Sequence, residues 1–257
     1  MRPLLRLIAH GWVLQVKRLS RSSFELMSAL VLPLLFATLA FYVLRAGDRP
    51  ADLLGAAIGA GLMGTWSTVL FGAGNAIDRQ RWDGTLELLV AAPSPFIAIL
   101  LSLTLATTTV GVYSLGATML WGALVFGVPL SLAHPLAFVV AIPATILALG
   151  TLGVLMASTF VVLRNANAIN NTGEFPIWLL SGALVPIAFL PTWLHPLSYV
   201  LAPTWGVRSL RDAALGGDPW LAIGVCLLMA VLQTALAAVA LRHVEHRARV
   251  NATLALS

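Results

Sequence analysis

Apolar and polar positions alternate along this chain on two length scales. Over residues 1–22 the scale is the helical turn. At 100° per residue Leu4, Leu5, Ile8, Trp12, Val16 and Leu19 fall on one side, with Arg6, His10, Lys17 and Arg21 opposite. That pattern predicts an amphipathic helix lying on a membrane surface; a basic flank to the next segment is the blander reading. Beyond it the scale becomes the bilayer. A first apolar span lies near Leu26 to Leu44, with Pro33 as a kink that neighbouring helices can accommodate. A second, near Leu53 to Ile77, carries Gly55, Gly59, Gly61, Gly64, Gly72 and Gly74. Small residues let backbones approach closely in lipid, here against either another copy or the rest of the bundle. Phe96 to about Val125 and Pro135 to about Leu163 give a third and a fourth span.

The next apolar stretch, Phe175 to Phe189, has only 15 residues. Pro186, Pro191, Pro196 and Pro203 crowd its end and the chain beyond, at a spacing no straight crossing helix tolerates. The expectation is a helix ending in the outer leaflet, then a re-entrant segment over 186–217 buried against protein. Trp220 to Leu241 forms the last span. The predicted fold is an all-α polytopic membrane protein of six transmembrane helices, with one transmembrane domain spanning residues 1–257.

Composition agrees: 59% of the 257 residues are hydrophobic and 10% charged, where soluble domains carry about 25% charged residues. The net charge of +5 is not gathered into a basic patch interleaved with aromatics, so nucleic acid is not an expected partner. Membrane orientation explains it better. With six crossings, eleven of the 15 Lys and Arg fall on the side of the termini and of residues 78–93. The positive-inside rule then puts that side in the cytoplasm. Charges recur through the opening residues, so a cleaved secretory leader is not expected.

Candidate chemistry inside the spans is sparse. His10, His134, His195, His243 and His246 form no HExxH, and Cys226 is the one cysteine, so no metal is expected. Thr104, Thr107, Thr108 and Thr109 are expected to bond back to their own helix. Glu25 and Glu174 are expected near helix starts, where a carboxylate meets the positive end of the helix dipole. An ion-coupled carrier needs buried ionisable groups, and almost none are present. No GxxxxGK[ST] occurs, so this chain binds no ATP in a P-loop.

One segment breaks the apolar pattern with purpose. DRQRWDGTLELLVAAPSP, residues 78–95, places five charges between two spans. From Asp83 as N-cap a helix of about two turns is predicted, with Leu86, Leu89 and Val90 sharing a face that could dock into a groove of a partner. An ordinary loop is the alternative. The segment resembles the cytoplasmic coupling helix of the membrane subunits of type-two ABC exporters. Residues 179–217, LLSGALVPIAFLPTWLHPLSYVLAPTWGVRSLRDAALGG, are similar to the outer re-entrant segment of the same family. Gln80 and Trp82 stand where that family often has acids, and Leu101-Ser102 replaces its frequent Gly-Lys.

The resemblance implies a permease without enzymatic activity of its own. Two partner ATPase subunits would carry ATP and Mg, this chain would bind no cofactor, and a second permease, identical or not, would complete the pathway. Asp83, Gly84, Thr85, Leu86, Glu87 and Leu89 would contact the ATPase. Pro191, Trp193, Pro196 and Pro203 would shape the outer gate. Trp66, Phe71, Phe175 and Trp178 are candidates for the substrate path. Compact size and short loops look like the drug-export branch, so an apolar or amphipathic drug or antibiotic is the expected substrate, with a lipid or polysaccharide the alternative. The expected location is the bacterial inner membrane, both termini cytoplasmic and lipid all around.

Overall fold

A computed structural model describes residues 2–48, 52–82, 84, 95–160 and 166–251. Among these, regular structure is helical throughout. The elements are α1 (Arg2–Arg21), α2 (Ser23–Ala46), α3 (Leu53–Trp82), α4 (Phe96–Phe126), α5 (Pro135–Phe160), α6 (Ala166–Leu180), α7 (His195–Val200), α8 (Ala202–Leu215) and α9 (Pro219–Asn251). Two 3-10 turns, Ile187–Phe189 and Thr192–Leu194, lie between α6 and α7. Among the described residues five helices, α2, α3, α4, α5 and α9, are long and apolar enough to cross a membrane. The four spans expected near 26–44, 53–77, 96–125 and 220–241 are all present, each longer than its apolar core. Phe160 is the last described residue of the helix expected over 135–163.

Glycine supplies the sharp stops. Gly127 closes α4 and Gly216 closes α8, both in the left-handed conformation (φ 59° and 93°) that lets a cap N–H turn back onto a helix carbonyl.

α3 is the most enclosed spanning helix, and α2 and α9 the most exposed. α3 lies along α4 with almost no side chain between the backbones. A Cβ on Gly61 would stand 2.5 Å from Leu115 Cα, one on Gly72 2.7 Å from Thr107, and one on Gly111 2.9 Å from Thr65 Cα. Hydroxyls cross the seam: Ser114 donates to the Gly61 carbonyl (2.6 Å), Thr118 to Ala57 (2.9 Å) and Thr65 to Gly111 (3.1 Å). The glycines of α3 that line this seam therefore serve packing within the chain.

The ends of the bundle can be told apart by contact. Phe96 and Leu100 of α4, Val154 and Ala157 of α5, and Ala237 and Leu241 of α9 form one apolar cluster at the start of α4. At the opposite end Arg45 donates to the Phe126 carbonyl, and the Ala133 and His134 amides donate to Ala214 and Ala213 at the end of α8 (3.1 and 2.9 Å).

Three expectations change. α1 does not rest on lipid alone: Trp12 donates its indole N–H to Thr109 (3.0 Å), Ser20 bonds Tyr113 (3.3 Å), and Ile8, Trp12, Val16 and Leu19 are half-buried. Part of its apolar face is thus occupied by α4, while Leu5 stays exposed. The fifth helix begins at Ala166, inside the polar run, and stops at Leu180 rather than running from Phe175 towards Phe189. Gly182, at φ 77°, and Pro186 turn the chain away. Glu174 consequently lies in the interior of α6 and not at its start, and it is buried. Finally, α3 and α9 both run past their apolar cores, α3 through the charged residues 78–82 and α9 through the basic tail to Asn251.

Candidate functional site

The charged island begins as helix. Asp78, Arg79, Gln80, Arg81 and Trp82 are the last turn and more of α3, and Gly84 follows in a left-handed turn (φ 64°). Among the described residues nothing stands within 4 Å of a Cβ placed on Gly84, and the residue is exposed. Asp83, Thr85, Leu86, Glu87 and Leu89, the remaining partner-contact candidates, lie outside the described residues. A helix of 30 residues is about 45 Å long. A bilayer core takes about 30 Å of that.

Of the outer-gate candidates, the three prolines each stand at the start of an element and Trp193 lies within the second 3-10 turn. Pro191 precedes the second 3-10 turn, Pro196 opens α7 and Pro203 opens α8, positions where a missing N–H and a fixed φ suit a helix start. Trp193 is 76% exposed and Pro203 is buried. Side chains tie the turns together: the His195 ring bonds the Leu190 carbonyl (3.0 Å), Thr204 donates to Ser198 (2.6 Å), and Trp205 donates to Tyr199 (2.8 Å).

The four path candidates fall into two environments. Trp66 and Trp178 are buried in the main core, and neither indole N–H meets an acceptor among the described residues. Phe71 is half-buried and Phe175 is 62% exposed. Trp178 is met edge-on by Phe36 of α2 (5.2 Å) and by Phe175 (5.0 Å), which joins two of the four candidates into one aromatic patch on α6 with Phe36 against it. Beside Trp66, Ser67 of α3 donates to the Glu174 carboxylate, one helical turn before Trp178. Ser67 also reaches its own helix at Met63 (3.0 Å). The threonines of α4 behave as expected: Thr104, Thr107, Thr108 and Thr109 donate to the carbonyls of Leu100, Thr104, Thr104 and Leu105.

Arg211 is a residue the sequence reading passed over. From α8 its Nε donates to the Gly55 carbonyl (3.1 Å), Nη1 to Gly182 (2.6 Å) and Nη2 to Ala183 (3.0 Å). Burial pulls its guanidinium down to about 10, still far enough above neutral pH to leave it a cation. The nearby ion pair belongs to Arg208 and Asp212 (3.4 Å). Burial raises the Asp212 carboxyl, and Arg208 works against that rise. A signal did exist: on a 100° wheel Arg211 falls one turn after Val207, at the edge of the buried side of α8, whereas Arg208 and Asp212 face away.

Spanning helices, a seam of small residues and a broken segment between α6 and α9 define a multi-pass helical membrane protein. Residues 7–215 match the ABC-2 type transporter family, and the chain belongs to it. The matched domain is the transmembrane component of such transporters and not their ATPase, which makes this chain an ABC transporter permease subunit. No curated protein matches it.

Proposed function

We propose that the chain is the membrane subunit of an ATP-driven exporter, worked from the cytoplasm through the segment that follows α3. The observation that carries this reading is the end of α3. The most enclosed spanning helix continues unbroken for roughly 15 Å beyond the bilayer core, ends in Asp78, Arg79 and Arg81, and turns at Gly84. A rigid extension of a buried helix is a lever, and its far end belongs where a partner can grip it. Residues 83–89 are the grip, two ATPase subunits supply ATP and Mg, and a second permease copy or homologue completes the pathway.

Arg211 ties Gly182 and Ala183 to Gly55 at one end of the bundle, on this reading the outer one, while Val154 and Ala157 of α5 cluster with Phe96 at the other. This favours α6 as the sixth crossing, with 186–217 as the re-entrant outer segment and both termini in the cytoplasm of a bacterial inner membrane. The substrate is an apolar or amphipathic drug that passes the aromatic patch of Phe175 and Trp178 on α6, near Trp66 and Phe71 on α3.

The test is co-purification with a P-loop ATPase, followed by reconstitution of the pair carrying Gly84→Pro with Glu87→Arg. Both hydrolysis stimulated by the permease and drug transport should be lost while the permease keeps its fold. Unaltered transport would sink the lever.

A further inference from the structure

Arg211 is placed where the lever must end. Its three bonds, all made from α8, reach three carbonyls on two separate stretches of backbone: Gly55 in the first turn of α3, and Gly182 and Ala183 in the turn after α6. Gly182 and Ala183 lie past the last residue of α6, so the arginine supplies donors where no helical N–H does. Gly59 makes the approach possible, because a Cβ there would collide with the Ala183 carbonyl and with Arg211 Nη2. Lower down, Ser67 and Glu174 join α3 to α6 a second time. The far end of α8 is held by the amides of Ala133 and His134.

A guanidinium is a planar fork of fixed geometry and suits this task, since one side chain can hold several carbonyls at set distances. We propose that Arg211 is a positioning residue that fastens the outer end of α3 to residues 182–215, so that displacement of the charged inner end of α3 is delivered to the gate segment. The proposal rests on the export reading above for its function, and on the three carbonyl contacts for its mechanics.

Two measurements separate those supports. First, spin labels at Asp52→Cys and Leu184→Cys, both exposed positions, are placed in a Cys226→Ser background of the full chain in nanodiscs. Pulsed electron resonance should give one narrow distance with Arg211 present and a broad one with Arg211→Gln. Gly59→Ala, which wedges the same contact and leaves the charge, should broaden it too. A narrow distance in both variants overturns the clamp. Second, in liposomes with the partner ATPase, Arg211→Gln should leave hydrolysis within about twofold of the parent and cut transport about tenfold or more, the scale expected when charge-assisted bonds that couple two parts are lost. A merely structural role would lower both together. Arg211→Lys should restore only part of the transport, since one ammonium cannot span three acceptors. An unchanged ratio of transport to hydrolysis overturns the positioning role. Broadened distances in a complex whose parent form moves no drug would leave the clamp standing and defeat the export reading.

Discussion

Gly61→Ala perturbs the seam between α3 and α4 by a single methyl group, and its effect can be worked from distances. The new Cβ would stand 2.5 Å from Leu115 Cα and 2.7 Å from Thr118 Oγ1, whereas carbon atoms rest about 3.5–4.0 Å apart. Both near atoms belong to backbone or to a branched side chain already bonded across the seam, so the helices must part by about 1 Å or more. That shift would stretch the Thr118–Ala57 and Thr65–Gly111 bonds, now 2.9 and 3.1 Å, past hydrogen-bonding range. Overpacking of this kind costs about 1–3 kcal/mol. Each interhelical bond adds roughly 0.6 kcal/mol in lipid, a small sum because Thr118, Thr65 and Ser114 all keep acceptors on their own helices. Alanine returns up to about 1 kcal/mol in helix propensity. The net loss is about 2–4 kcal/mol, or roughly 5–15 °C in melting temperature for a chain of this size. Cys226 is fully buried, so its reaction with a thiol dye on heating reports unfolding directly. Gly116→Ala is the control, since no described residue lies within 4 Å of a Cβ there, and it should melt no lower than the parent. Equal melting of both variants would refute the close-packed seam.

Two other substitutions probe polar groups in the bundle. Gln233→Leu removes the acceptor of Thr151 (2.9 Å) but keeps volume, and Thr151 retains Leu147 (2.8 Å), so stability in the same dye assay should fall by less than about 1 kcal/mol; a loss above about 3 kcal/mol would mean that the α5–α9 contact depends on this bond. Glu174→Gln preserves an acceptor for Ser67 and removes a buried ionisable group, so melting should be unchanged while transport of positively charged amphiphiles falls relative to neutral ones, as befits an ionisable group within a membrane domain. Equal loss for both classes of substrate would remove Glu174 from the path.

Much of the fold was legible because apolar length is a direct consequence of bilayer thickness. Pro33 and Pro143 inside α2 and α5 did not hide those helices, since the runs around them are long enough to cross. α6 was harder. Its first half is the polar run ANAINNTGE, whose Asn and Thr compete with helix formation, and its apolar half is cut short by Gly182 and Pro186. Hydropathy therefore marked a helix where the chain turns, and a surface loop where it winds. The same bias ended α3 at Ile77, because Asp78 to Trp82 look like loop once periodicity is weighed by apolarity alone. In the candidate site the prolines were read correctly as interruptions. Arg211 was missed because a charge on an outer segment is counted first as solvated, and only its register with Val207 marks it as inward.

A lever of the kind proposed for α3 works only if it does not bend, and α3 taken alone would be a poor one. It has six glycines, each worth up to about 1 kcal/mol against a helix relative to alanine. Its stiffness has to come from what surrounds it. Gly59 admits Ala183 and Arg211, Gly61 admits Leu115, Gly64 admits Pro33 and Ser114, and Gly72 admits Thr107. The missing side chains that weaken the helix by itself are thus what let α2, α4 and the turn after α6 close on it along its length. Stability and transmission then share one set of contacts. Substitutions at Gly61, Gly64 and Gly72 should lower the coupling of hydrolysis to transport in step with melting temperature, whereas those at Arg211 separate the two, because that contact fastens the end of the rod.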